Sequence, residues 1–197
     1  MNSRKVVYLF LSTLVIGSIS GAIVGLILEF DVYTAGSFLN FLFGLIWLLG
    51  ICAAFSLISQ MGFFAYLTLH RFGLALFKSQ KLWNYVQIIL IAFVVFDLIY
   101  FRYIAFAEPG ETIFHYSIMP ILLLVYGLLI AYLKAKDTNP GAFIPALFFI
   151  VVVTTIEWVP ALTVNEPKWL WLYFTPLIVA NTWQLLILHR LTRTESK

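Results

Sequence analysis

Along this chain polar residues interrupt long apolar runs rather than alternate with apolar neighbours. Six stretches stand out: Val6 to Phe30, Phe38 to about Leu69, Trp83 to Phe106, Ile113 to Leu133, Phe143 to Leu162, and Trp169 to Leu188. Crossing about 30 Å of hydrocarbon takes about 20 apolar residues in a helix, so each run has the length of a span. None alternates with a period of two as a barrel strand does, and backbone groups in lipid have to be satisfied within their own segment. The pattern therefore predicts an all-α fold, a single integral membrane domain over residues 1–197 built as a bundle of six transmembrane helices. Pro120, Pro145 and Pro176 fall inside these runs. Each removes a backbone bond, so several spans are expected to be kinked.

The second run is too long for a simple crossing, since Phe38 to Leu69 as straight helix measures about 48 Å. A break is expected at Ser59, Gln60, Met61 and Gly62, after which residues 63–77 lie along the interface; a single long tilted helix is the alternative. Trp158, Trp169, Trp171 and Tyr173 are read as an aromatic girdle at one surface, with Trp83 and Tyr85 answering at the other.

Charge sorts by loop. With six spans, Arg4, Lys5, Arg71, Lys78, Lys81, Lys134, Lys136, Arg190, Arg193 and Lys197 share one face, and only Arg102 and Lys168 fall opposite. Acidic residues concentrate on or toward that second side: Glu29, Asp31, Asp97, Glu108, Glu111, Glu157 and Glu166. Because positive residues resist translocation, the expected place is the cell membrane, with both termini cytoplasmic. Arg4 and Lys5 ahead of an apolar run could open a signal peptide, but the run exceeds a usual signal core and more spans follow, so it is read as a retained first helix.

Composition narrows the functional classes. The chain is 62% apolar and 11% charged, with mean hydropathy +0.99, whereas a soluble domain is about 45–50% apolar and about 25% charged. No segment remains for an aqueous kinase, nuclease or receptor domain. The net charge of +3 comes from span ends rather than from a basic patch, so nucleic acid is not an expected partner. Cys52, inside an apolar run, is the single cysteine, which leaves no intrachain disulfide. H-E-x-x-H, G-x-S-x-G and the P-loop motif are all missing, no metal or cofactor is called for, and an enzyme is not expected.

Three groups of residues invite a role. Thr13, Gly17, Gly21 and Gly25 recur at a spacing of four and form a nearly straight ridge of small residues, a surface for close helix packing within the bundle or with a partner protein. Asp97 and Glu157 lie at equal distances from the starts of their helices, with Arg102 and His115 nearby in sequence depth. Two acids and a base at that level read either as an outward-facing polar pocket or as a structural ion pair. Leu69-His70-Arg71 and Leu188-His189-Arg190 repeat a motif at cytoplasmic span ends, where His70, Arg71, His189 and Arg190 are expected interfacial lipid contacts. Asn181, Thr182 and Gln184 are read as hydrogen-bonding groups between helices.

The stretches FLSTLVIG (Phe10 to Gly17), MGFFAYLTLHRFG (Met61 to Gly73), FDLIYFRY (Phe96 to Tyr103), AFIPALFF (Ala142 to Phe149) and IEWVPAL (Ile156 to Leu162) resemble the KbaA family, the KinB-signalling pathway activation proteins of spore-forming bacilli. The likeness runs through most of the chain in order. It implies a polytopic inner-membrane protein serving the membrane sensor histidine kinase KinB, which feeds the phosphorelay that starts sporulation. On that footing the expected function is a non-enzymatic accessory that biases a kinase through helix contact or through sensing a small ligand or lipid. A small transporter, or a ligand- or lipid-binding protein, is the alternative class.

Overall fold

The structure is a computed structural model and describes residues 3–192. Arg193 and Lys197, counted above with the cytoplasmic charges, lie outside the described residues. Among those described the chain is helical: α1 (Ser3–Leu28), the short α2 (Phe30–Thr34), α3 (Phe38–Phe77), α4 (Gln80–Phe106), α5 (Ile113–Asp137), a 3-10 turn (Pro140–Ala142) leading into α6 (Phe143–Phe148), a π-helical turn (Phe149–Val153), α7 (Thr154–Val164) and α8 (Pro167–Thr192). Taken from Pro140 to Val164 as one continuous rod, the fifth joins five others to make six helices long and apolar enough to cross a membrane.

The helix ends follow from local chemistry. Ser79 Oγ accepts the backbone N–H of Leu82 at 3.4 Å and caps α4. Pro167 opens α8, and the Glu166 carboxylate accepts the N–H of Trp169 at 3.0 Å. Lys78 (φ 51°) follows the last turn of α3 and Asn165 (φ 54°) that of α7, each taking the left-handed conformation that ends a helix. Lys134 and Lys136 in the last turn of α5, and His189 and Arg190 in that of α8, complement the negative ends of those helices.

The expected break at Ser59 to Gly62 does not occur: α3 runs unbroken for 40 residues, about 60 Å. Ser59 and Gln60 are buried along its side, so their polarity serves lateral contacts rather than a helix end. Nor do Pro120, Pro160 and Pro176 terminate the helices that contain them.

Two compact units divide the chain, one of residues 1–63 and 157–197, the other of residues 64–156. In the first, α1 packs on α8 and on the leading part of α3. A Cβ at Gly17 would meet Ser56 and Ala180, at Gly21 Cys52 and Pro176, and at Gly25 Leu48 and Leu172. As the ridge number rises by four, both partner numbers fall by four, so α3 and α8 each run antiparallel to α1. The first turn of α1 and the last turn of α8 consequently share one end of this unit. Ser56 Oγ donates to Thr13 O at 3.0 Å and Trp183 Nε1 to Ser12 Oγ at 3.0 Å, two polar ties across the seam.

In the second unit Tyr66, 5% exposed, donates its hydroxyl to Pro145 O at 2.7 Å, accepts from Gln87 Nε2 at 3.3 Å, and lies against Phe148 and Phe149. Trp83 is buried, with its indole against Gly73 and its Nε1–H donating to His70 Nδ1 at 3.0 Å. Trp83, Trp158 and Tyr173 are core residues, which corrects the girdle reading; Trp158 donates to Leu170 O at 3.0 Å and the Tyr173 ring lies tilted against Phe55. Rings with a polar tip go inside when a partner meets the tip. Trp83→Phe exchanges the indole for a smaller ring and loses both the bond to His70 and part of the packing on Gly73, so the expected result is a loss of about 2 kcal/mol in a denaturant titration of the purified protein.

Candidate functional site

In the first unit three apolar helices each contribute polar side chains to one buried cluster. Gln184 Nε2 donates to Ser59 Oγ at 2.9 Å, Ser59 Oγ donates to Asn181 Oδ1 at 2.8 Å, and Asn181 Nδ2 donates to Glu157 Oε2 at 2.6 Å. Each bond points its hydrogen toward the carboxylate. With Glu157 ionised this order follows from its end, because a carboxylate only accepts and so takes the amide N–H2 of Asn181, which leaves Oδ1 to accept from the serine. Bonds aligned in this way polarise one another.

The sequence brings the cluster together through helical spacing. Asn181 and Gln184 are three apart on α8 and share a face toward α3, and Ser59 and Gly62 are likewise three apart on α3. Asn181 and Ser59 are fully buried, Gln184 is 1% exposed and Glu157 is 7% exposed. Gly62 has a steric reason to be glycine, since a Cβ there would overlap Glu157 Oε1. That oxygen and Gln184 Oε1 have no hydrogen-bond partner. Here a group that can carry a charge or a proton is enclosed by apolar helices and steadied by one amide, an arrangement costly enough to call for a role.

Asp97 is half-buried on α4 in the second unit, whereas Glu157 belongs to the first. Arg102 is half-buried with its guanidinium 5.7 Å from the centre of the Tyr116 ring on α5. Tyr116 in turn donates to Glu111 Oε2 at 2.9 Å. The Glu108 backbone N–H and then the Tyr116 hydroxyl hold the Glu111 carboxyl below the usual range. His115 is exposed beside them at the start of α5. His70 accepts from Trp83, so one of its nitrogens is engaged within the protein, while Arg71 and Arg190 are exposed and His189 is half-buried. Thr13, Gly17, Gly21 and Gly25 are all buried against α3 and α8 of the same chain. The ridge is therefore filled by helices of its own chain, the within-bundle one of the two packings its spacing allows.

Of the four polar members only Ser59 escapes the sequence reading, which takes it, together with the adjoining Gly62, as a breaking point. A polar and a small residue three apart on α3, Ser59 with Gly62, and a polar pair three apart on α8, Asn181 with Gln184, are the available signal. No group of three His, Cys, Asp or Glu side chains able to hold a metal occurs among the described residues.

Comparison with known proteins places these features in a wider setting. The sequence model of the KbaA family, described as KinB-signalling pathway activation in sporulation, matches residues 17–191. The KinB-signaling pathway activation protein of Bacillus subtilis (strain 168) is 44% identical over 193 residues, covering 95% of this chain and 97% of that relative. No solved structure matches.

Proposed function

The chain belongs to the KbaA family, and from that premise we propose that it is a multi-pass protein of the cell membrane that activates a KinB-type sensor histidine kinase at the entry to sporulation, without catalysing a reaction itself. The observation that carries this reading is the likeness to the Bacillus subtilis relative along nearly the full length of both chains. Six apolar helices support insertion in the membrane. Ten of the twelve lysines and arginines lie on the side assigned to the cytoplasm, and the shared end of α1 and α8 agrees with both termini lying there.

An accessory of this kind acts by preferring one conformation of the kinase over another, and its differential affinity sets how far the equilibrium moves. The glycine ridge is occupied internally, so a kinase helix has to meet another face. The Glu157 cluster acts as the internal brace that holds α3, α7 and α8 in register.

Expression of this chain in a spore-former that lacks its own relative, with sporulation made dependent on the KinB-type kinase, is expected to restore sporulation. Normal membrane levels without any rescue reject the proposal. Fluorescent reporters on either terminus are expected to light up equally in the cytoplasm, and a reporter silent at one end alone rejects the even number of crossings.

A further inference from the structure

At the end of the first unit where the glycine ridge reaches Gly25 lies a cavity of about 260 Å³. Its polar lining is Glu29, where α1 gives way to α2, together with Glu166 and Lys168 at the start of α8. Its aromatic lining is Tyr33, Trp47 and Trp169. Leu48 and Leu172 close the apolar floor.

Lys168 Nζ stands 3.6 Å from Glu29 Oε1, with side chains 54% and 40% exposed. An ion pair this wet contributes little to stability, so either member can exchange its partner for a ligand group at small cost. Glu166 is anchored by the hydrogen bond from the Trp169 backbone. Two carboxylates against one ammonium leave the lining with a formal charge of −1 (−2 + 1), which calls for a cation. Three aromatic side chains among the lining favour an ammonium in particular, because the face of an indole or phenol ring attracts it. Lys168 remains to take an anionic group on the same molecule. The volume is below the about 300 Å³ at which drug-sized pockets begin, so it suits a headgroup rather than a nucleotide.

We propose that this cavity binds a small zwitterion, its ammonium held by Glu29 and Glu166 against Trp47 and Trp169, and its phosphate or carboxylate by Lys168. The chemistry is shared by the headgroup of phosphatidylethanolamine and by free phosphoethanolamine or an amino acid. The assignment deepens the proposed signalling role by giving it a ligand class, and it rests on that role only for its purpose.

Calorimetric titration of the purified full chain with O-phosphoethanolamine is expected to show saturable binding, with inorganic phosphate at least tenfold weaker. Trp47→Leu and Glu29→Gln are each expected to weaken it at least tenfold. Lys168→Gln weakens phosphoethanolamine tenfold and leaves ethanolamine unchanged. Trp47 is 69% exposed, so its variant keeps the test open even if another variant fails to fold. Retention of phosphatidylethanolamine from mixed phosphatidylglycerol nanodiscs, read by native mass spectrometry, assigns the lipid as source; binding of the free compounds alone assigns a soluble one. Phosphate binding as tightly as phosphoethanolamine, unchanged affinity in Trp47→Leu, or folded protein that binds neither lipid nor free zwitterion overturns the site. Binding lost in Glu29→Gln while that variant still rescues sporulation overturns the ligand's part in signalling and leaves both the site and the signalling role standing.

Discussion

Gly21→Leu is expected to destabilise the protein by about 3 kcal/mol or more and to lower its amount in the membrane several-fold. A Cβ alone at this position would stand 2.7 Å from Cys52 Sγ, 3.0 Å from Cys52 Cβ and 3.1 Å from Pro176 Cγ. The rest of a leucine side chain then has to force α1 from two helices at once, and neither neighbour can swing away, since one is a short side chain and the other a proline ring. Gly50→Leu is the matched control. Nothing lies within 4 Å of a Cβ built at Gly50, so its expected change is within about 0.5 kcal/mol. Detergent unfolding curves of the two purified variants measure the difference, and curves that coincide remove the close α1 packing from the account.

The second large effect is expected at Asn181→Leu, about 2–3 kcal/mol of lost stability in the same measurement. A leucine of similar shape gives Ser59 no acceptor and Glu157 Oε2 no donor. Side-chain hydrogen bonds between membrane helices average only about 0.6 kcal/mol each, so most of the cost comes from the buried carboxyl stranded beside Gly62. Adding Glu157→Leu to Asn181→Leu removes the stranded group and is expected to recover more than half of the loss, whereas a simple sum of two lost contacts predicts further loss. A double variant less stable than Asn181→Leu would show that the carboxyl itself contributes stability.

The six helices were legible because each is an apolar run of the length a span needs, and the runs beginning at Phe38 and Ile113 match the observed helix starts to the residue. The Thr13 to Gly25 ridge was legible as a surface because spacing of four fixes a helix face whatever lies opposite. Its occupants were not, since nothing in the order of residues says that Ser56, Cys52 and Leu48 descend one flank while Ala180, Pro176 and Leu172 descend the other. The same gap explains the reading of Ser59 and Gly62 as a break: polar and small residues inside an apolar run look alike whether they end a helix or face a buried carboxyl. Asn181 and Gln184 were read as interhelical hydrogen-bonding groups and do bond across to Ser59. Trp158 and Trp83 were assigned to a surface by type alone, and their burial depends on Leu170 O and His70 Nδ1 lying where each indole N–H can reach. The π-helical turn at Phe149–Val153 left no mark in the sequence pattern, because every residue in it is apolar.

A ladder of unequal rungs has a preferred height. Along α1 the glycines repeat every fourth residue, but the neighbours they meet on α3 and α8 grow from Ser56 and Ala180 through Cys52 and Pro176 to Leu48 and Leu172, so a slip by one turn would set a glycine against side chains of another size. The same alignment is fastened a second time, at Ser12 under the Trp183 indole and at the Thr13 carbonyl under the Ser56 hydroxyl. The glycines let the helices touch, and the graded neighbours together with two polar bolts decide at which rung.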